Sequence, residues 1–206
     1  MTRSLIRAFV ALGMVMAIPL GCRNIIGVEE RVLTDASSAS ADCTAYCTLI
    51  QEKCTGDNQQ YASQTACEKM CATFDPGSAD DGNTDSLACR KRVLDNGVDV
   101  GEVDCAGAGP TGHLQCGSIC DVYCKSLELL CIEQFSTYGG NCLTDCAAFT
   151  DCGDYTANDS RDDDSIQCRF FHLNSASVDP ETHCPHSIAI NHCHDATTAP
   201  AACGGS

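Results

Sequence analysis

The chain contains no tryptophan, only eleven aromatic residues in 206, and few basic residues, with 12 lysines and arginines against 28 aspartates and glutamates. The formal net charge of -16 excludes the basic surface that binding to nucleic acid or anionic lipid headgroups requires. After residue 22 no hydrophobic segment approaches the roughly 20 residues needed to span a bilayer, so no transmembrane helix is expected in the mature chain. Because large apolar side chains are few, we expect small hydrophobic cores that need covalent cross-links for stability.

Motifs with known catalytic mechanics are also missing. The sequence has no Gly-x-Ser-x-Gly, no His-Glu-x-x-His, no phosphate loop and no Cys-x-x-Cys. Because no arrangement of residues supports a stated reaction, the sequence predicts neither an enzyme nor a catalytic residue, and no cofactor is expected.

What the chain does have is nineteen cysteines. Sixteen of them sort into two sets of eight, and Cys22, Cys152 and Cys203 remain. The first set is Cys43, Cys47, Cys54, Cys67, Cys71, Cys89, Cys105 and Cys116. The second set is Cys120, Cys124, Cys131, Cys142, Cys146, Cys168, Cys184 and Cys193. Cysteine at this density is typical of a disulfide scaffold in an oxidising compartment.

The two sets have matching spacings. The gaps in the first set are 3, 6, 12, 3, 17, 15 and 10 residues, and those in the second are 3, 6, 10, 3, 21, 15 and 8. The intervening residues also agree, as in Asp-Ser-Leu-Ala-Cys-Arg90 and Asp-Ser-Ile-Gln-Cys-Arg169. This agreement predicts an internal duplication.

The amino end predicts export. Arg3 and Arg7 precede an uncharged run from Ala8 to Leu20, which is too short for a bilayer span and typical of a signal peptide. The run ends in Ile-Pro-Leu-Gly-Cys22, which resembles the lipobox of bacterial lipoproteins, although Pro19 and Leu20 depart from its usual pattern. Cys22 is therefore predicted to carry a lipid anchor, and cleavage elsewhere as an ordinary secretory signal is the alternative.

Helical spacing limits which cysteines can pair with one another. Cys43, Cys47 and Cys54 fall on one stripe of a helix starting at Asp42, and a second helix over Ser63–Phe74 again has two cysteines four apart. A third helix is predicted from Asp85–Ser86 to Asn96–Gly97, with counterparts at 118 to about 134, 141–149 and 164 to about 174.

Packing the first two helices antiparallel predicts four bonds, and the remaining cysteines supply five more. Spacing alone does not fix connectivity, so one scheme is required of both copies. The predicted bonds are Cys43–Cys71, Cys47–Cys67, Cys54–Cys89, Cys105–Cys116, Cys120–Cys146, Cys124–Cys142, Cys131–Cys168, Cys184–Cys193 and Cys152–Cys203.

Several segments together resemble a known group of proteins. These are Gly-Cys-Arg-Asn-Ile-Ile-Gly-Val-Glu-Glu30, the Cys-x-x-Tyr-Cys helices, the Cys-Arg third helix and His-Cys-Pro-His186. They are similar to the cysteine-rich lipoproteins abundant in myxobacteria, and the resemblance covers nearly the whole chain. It implies a place in the cell envelope, and Arg23 after the anchor favours the outer membrane by analogy with sorting in Gram-negative bacteria. It implies no activity.

Five of the six histidines fall close together near the carboxyl end. Imidazoles at this density are potential zinc or copper ligands, whereas a solvated histidine-rich loop is the simpler interpretation. Closing Cys184 on Cys193 is expected to crowd four of them. The candidate ligands are His172, His183, His186, His192 and His194.

Two acidic loops precede the third helix of each copy. Carboxylates and amide carbonyls suit calcium, but neither loop has EF-hand spacing, and a plain acidic surface is the alternative. The residues are Asp75, Asp80, Asp81, Asn83 and Asp85 in the first loop, and Asp151, Asp154, Asn158, Asp159, Asp162, Asp163 and Asp164 in the second.

The sequence thus predicts a mainly α-helical protein of two tandem, disulfide-rich, three-helix modules. The expected organisation is a signal peptide over 1–21, an anchor and flexible linker over 22–42, and modules over 43–116 and 117–206. The expected function is that of an exported, lipid-anchored envelope protein, periplasmic or on the surface, that acts structurally or binds a protein or glycan. The alternative is an envelope protein that binds zinc, copper or calcium.

Overall fold

The computed structural model describes residues 42–78, 80–100, 104–138, 140–158 and 163–188, together with Cys193 and Cys203. The described residues from 42 onward belong to one compact unit. The predicted signal segment over 1–21, Cys22 and the predicted linker up to residue 41 lie outside the described residues. Within the described ranges, no helix has both the length and the apolar character to cross a membrane.

The described chain is helical, and strands are absent from it except for isolated bridges at Asp75–Ser86 and Thr150–Ser165. The first half contains α1 (42–53), α2 (Gln64–Cys71), α3 (Leu87–Val100) and α4 (Cys105–Ala108). The second contains α5 (Ile119–Leu130), α6 (Ile132–Phe135), α7 (Cys142–Cys146), α8 (Ile166–Ala176) and α9 (Pro180–Ser187). Two short 3₁₀ turns lie at Gly56–Asn58 and Ser136–Tyr138. The prediction of a mainly α-helical, disulfide-rich fold is confirmed.

The first half has one helix more than the three predicted, α4, whereas the second has two more, α9 and α6, which is separate from α5. In α4, the Asp104 carboxylate accepts a hydrogen bond from the Gly107 amide at 2.7 Å, and Asp179 caps α9 by accepting from the Thr182 amide. Neither helix shows an apolar periodicity, because α4 has only four residues and the single apolar residue of α9, apart from two prolines, is Cys184. Capping rather than amphipathicity therefore marks both of these helices.

Several of the predicted boundaries shift. The helix predicted over 141–149 ends at Cys146, and the one predicted over 164 to about 174 spans Ile166–Ala176. The helix α2 ends at Cys71, before Phe74, whereas α3 continues through Gly97 to Val100. The helix predicted from 118 to about 134 ends at Leu130, and α6 begins separately at Ile132.

Five predicted disulfides are confirmed. Antiparallel packing of cysteine pairs spaced four apart gives Cys43–Cys71 and Cys47–Cys67 in the first half. The same arrangement joins α5 to α7 in the second half, and a further bond joins the two extra cysteines. These three bonds are Cys120–Cys146, Cys124–Cys142 and Cys152–Cys203.

The other four predicted pairings are wrong. The bonds are Cys54–Cys105, Cys89–Cys116, Cys131–Cys184 and Cys168–Cys193. They replace the predicted Cys54–Cys89, Cys105–Cys116, Cys131–Cys168 and Cys184–Cys193. The first turns of α3 lie beside the start of α1, where the Lys91 ammonium is 3.3 Å from the Asp42 carboxylate. Cys54 follows the opposite end of α1, and at about 1.5 Å per residue the helix separates the two ends by roughly 16 Å.

Cysteines at matching positions are bonded in the same order in both halves, and the surrounding contacts also match. Ser86 and Ser165 each accept a hydrogen bond from the backbone amide three residues on. The Arg90 guanidinium lies 3.7 Å from the centre of the Phe74 ring, and that of Arg169 lies 3.6 Å from the centre of the Phe149 ring. The two arginines therefore fix the start of α3 and of α8 against equivalent aromatic rings.

The halves meet through side chains and backbone. The buried Gln60 amide donates to the Tyr155 carbonyl at 2.9 Å, and the Asn174 amide donates to the Gln60 carbonyl at 3.3 Å. The hydroxyls of Thr73 and Ser126 lie 3.3 Å apart. None of the nine disulfides joins residues 43–116 to residues 117–206. Apart from the continuous backbone, the described contacts between the halves are therefore noncovalent.

Candidate functional site

Three of the five candidate histidines converge where α8 packs on α9. His172 lies on α8 and is 7 % exposed, whereas His183 and His186 lie on α9 and are partly exposed. One ring nitrogen of each lies within 4.8 Å of a ring nitrogen of the other two. The site thus has a buried floor, His172, and an open side formed by the other two rings.

The closest approach in this cluster joins two ring nitrogens. The Nδ1 atoms of His172 and His183 are 3.1 Å apart, and the two rings are stacked with their centroids 5.4 Å apart. The His186 ring stands edge-on to both, at centroid distances of 5.0 Å from His172 and 6.0 Å from His183. All three imidazoles therefore share one small volume.

Local structure places each ring. On α9, His183 and His186 are three residues apart, so they fall on the same side of the helix. The disulfide Cys131–Cys184 ties α9 to the end of α5, and the buried Tyr123 hydroxyl donates to the Ser187 carbonyl at 2.8 Å. On α8, the disulfide Cys168–Cys193 lies one turn before His172. Covalent and polar contacts thus hold both helices beside the cluster.

The donor set determines what this cluster can bind. Neutral imidazole nitrogen is a preferred ligand of zinc and copper, and three histidines plus an exogenous ligand is a known zinc arrangement. A second group of potential ligands, Cys168, His172 and Cys193, shares the His172 ring. Its two sulfurs are joined in a disulfide and cannot act as thiolates. The oxidised protein therefore presents an all-nitrogen site.

The crowding expected from a Cys184–Cys193 bond does not occur, since each of these cysteines has another partner. Packing of α8 on α9 brings His172, His183 and His186 together instead. His192 and His194 lie outside the described residues. The first half has Val93, Asp104 and Gly107 at the positions that match the three histidines.

The acidic loops are held by cations of the protein. Lys125 lies 2.9 Å from the Asp75 carboxylate and 3.6 Å from that of Asp85, which also pairs with Arg90 at 2.7 Å. Hydrogen bonds from Ser78 lower the pKa of Asp81. In the second loop, Asp164 pairs with Arg169 at 2.7 Å.

Those contacts weaken the calcium interpretation. Among described residues, the two groups that bring three ligands within reach of one ion both contain His172, and neither includes a carboxylate. Asp159 and Asp162 lie outside the described residues. The histidine cluster is consequently the stronger candidate.

The fold and site define a class: a small helical protein rich in disulfides, with a cluster of imidazoles near its carboxyl end. Residues 26–122, a little under half of the chain, match the family model of the BfoA family C-terminal domain. That range includes the first half and ends within α5, so the three histidines lie beyond it. No curated protein and no solved structure matches the chain.

Proposed function

We propose that this protein is exported and lipid-anchored at Cys22, and that its disulfide-linked body serves in the cell envelope as a structural module or as a binding module for a protein or glycan. The observation that carries the proposal is the cysteine balance. Nine disulfides use eighteen of the nineteen cysteines, and the one left over is Cys22 at the end of the apolar run.

Disulfides persist where thiols are not kept reduced, so nine of them support a location outside the cytoplasm. An odd cysteine in an exported chain needs a separate explanation, and acylation after a lipobox-like sequence supplies one. The charged residues before the apolar run and its length fit a signal peptide. Arg23 after the anchor favours sorting to the outer membrane.

The proposal includes an origin by duplication in a lipoprotein of the myxobacterial type. The repeated cysteine spacing supports it, as do the common bond order and the paired arginine–phenylalanine contacts. The negative charge and rigid frame suit presentation of loops above a membrane surface.

The test is metabolic labelling with an alkyne fatty-acid analogue in a bacterium that processes lipoproteins. The wild-type chain should take up the label and sediment with membranes, whereas Cys22→Ser should do neither, because the acyl chain supplies the membrane affinity. The matched control is the double variant Cys152→Ser with Cys203→Ser, which makes the same chemical change but keeps Cys22. It should be labelled like the wild type.

Label that persists in Cys22→Ser would contradict the anchor. A mass measurement under non-reducing conditions tests the compartment separately, and several free thiols in the native protein would contradict an oxidised scaffold.

A further inference from the structure

We propose that His172, His183 and His186 form a binding site for one late transition-metal ion, zinc or copper, with three imidazole nitrogens as ligands and one position open to solvent. The proposal goes beyond the scaffold function and does not depend on the lipid anchor. It rests on the geometry of α8 and α9.

Distance is the first argument. Two imidazole nitrogens that bind one tetrahedral zinc ion at about 2.0–2.1 Å lie about 3.3 Å apart. The Nδ1 atoms of His172 and His183 are 3.1 Å apart, so small ring movements place an ion between them. The ligating atom of His186 lies within 4.8 Å of the other two and supplies a third nitrogen.

Pre-organisation is the second argument. His172 is 7 % exposed on a helix fixed by the Cys168–Cys193 bond, and His183 and His186 flank Cys184, which is bonded to Cys131. Most of the conformational entropy of the ligand side chains is therefore lost during folding, so that little more is lost when an ion binds.

Access is the third argument. His183 and His186 are partly exposed, which leaves a path for the ion and room for water as a fourth ligand. Oxidation of Cys168 and Cys193 removes the soft ligands, so nitrogen donors select borderline ions such as Zn²⁺ and Cu²⁺.

The first half of the chain lacks the cluster. At the matching positions Val93 is aliphatic, Asp104 is committed to capping α4, and Gly107 has no side chain. The proposal therefore assigns metal binding to the second half and a stoichiometry of one ion per chain.

The experiment uses the full chain, oxidised, stripped with a chelator and titrated calorimetrically with Zn²⁺ alone and with Cu²⁺ alone. The wild type should bind one equivalent. His183→Ala and His186→Ala should each weaken binding by more than about tenfold, since even outer-sphere changes cost about 10–100-fold. Because His172 is buried, these two α9 variants keep the test independent of its folding.

The matched control is His113→Ala. His113 lies in the first half, where its Nδ1 is 3.1 Å from the Asp154 carboxylate, and its removal should leave the affinity within twofold of wild type. Electron paramagnetic resonance of the copper complex should show coupling to several nitrogens. That coupling should decrease in His183→Ala.

Three results would overturn the proposal. One is the absence of stoichiometric binding of either ion, which would leave the 3.1 Å contact as a hydrogen bond between the two imidazoles. Another is unchanged affinity in the double variant of His183 and His186. The third is binding only after reduction, with a thiolate charge-transfer band, which would assign the ion to Cys168 and Cys193. Failure of the Cys22 labelling test would affect none of these readouts.

Discussion

At the scale of single residues, the first half contains two buried tyrosines whose hydroxyls are in contact. The Tyr46 hydroxyl donates to the Ala108 carbonyl at 2.6 Å and lies 2.9 Å from the Tyr61 hydroxyl. Desolvation raises the pKa of Tyr46 to about 12 and raises the pKa of Tyr61 well above its usual value of 10.0. The folded state therefore favours both phenols in their neutral form.

This contact predicts a loss of stability in alkali. Below pH 10 both folded and unfolded states hold the phenolic protons, and the full stability is present. Above pH 10 the unfolded state ionises first, so the free energy of unfolding falls by about 1.4 kcal/mol per pH unit for Tyr46 until about pH 12. Denaturant unfolding between pH 7 and pH 11.5 should show this decline, and Tyr46→Phe should reduce its slope.

The same variant should cost about 1 kcal/mol at pH 7, because the Ala108 carbonyl loses its phenolic donor. Ionisation of every tyrosine near pH 10 in the folded protein, seen in the ultraviolet absorbance, would contradict the account.

At the scale of helices, Arg90 connects α3 to its surroundings. Its fully buried guanidinium donates to the carbonyls of Gly109 at 3.1 Å and Pro110 at 3.4 Å, pairs with Asp85 at 2.7 Å and covers the Phe74 ring. One side chain therefore holds the start of α3 to the turn after α4 and to the segment after α2.

Arg90→Ala should lower the free energy of unfolding by about 3 kcal/mol, because the Gly109 and Pro110 carbonyls lose a buried, charged donor, each such bond contributing about 1.5–3 kcal/mol. Asp85 keeps a cation, Lys125, at 3.6 Å. The neighbouring variant Lys91→Ala is the control. It removes a pair between half-exposed side chains and should cost less than about 1 kcal/mol. Chemical denaturation with the disulfides intact measures both, and equal losses would contradict the role given to Arg90.

Helix spacing also explains how much of the structure is predictable from the sequence. Cysteines four apart on two adjacent helices define a stripe on each, so Cys43–Cys71 and Cys47–Cys67 follow from periodicity. The partner of Cys54 depends on the direction of α3 relative to α1, and on α4, whose four residues have no periodic signal. That information resides in tertiary contacts such as those of Arg90.

The candidate site, too, is only partly predictable from the sequence. The clustering of histidines in the sequence indicates a region, and the resemblance to envelope lipoproteins includes His172, which follows the Cys-Arg pair, as well as His183 and His186. Which rings converge depends on α9, which begins at the Asp179 cap and contains Pro185 in its interior. The sequence pattern identifies these residue types. Only the packing of α9 on α8 brings His172 next to His183 and His186.

At the scale of the whole molecule, the halves form one unit, although none of the described disulfides joins residues 43–116 to residues 117–206. The buried amides of Gln60 and Asn174 lie at their contact, where the Asn174 amide also donates to the Tyr155 hydroxyl at 3.0 Å. The bonds from Gln60 to Tyr155 and from Asn174 to Gln60 form only while both halves are folded and in contact.

We therefore expect a single unfolding transition. Scanning calorimetry of the oxidised protein should give equal calorimetric and van't Hoff enthalpies. Asn174→Ala should reduce stability by about 1–3 kcal/mol, because the Gln60 carbonyl and the Tyr155 hydroxyl lose a buried partner, and the transition should remain single. Two separate transitions would show instead that 43–116 and 117–206 unfold as independent tandem modules.

Confinement of every bond to its own half has a consequence for biogenesis. A chain that crosses a membrane amino end first delivers all eight cysteines of residues 43–116 to the oxidising side before most of the second set emerges. The four disulfides of this half can therefore form while few other thiols are nearby. Eight cysteines allow 105 pairings, and eighteen cysteines present together would allow many more. The order of emergence thus favours the native disulfide pattern. The folded first half then provides a surface against which the second half can fold.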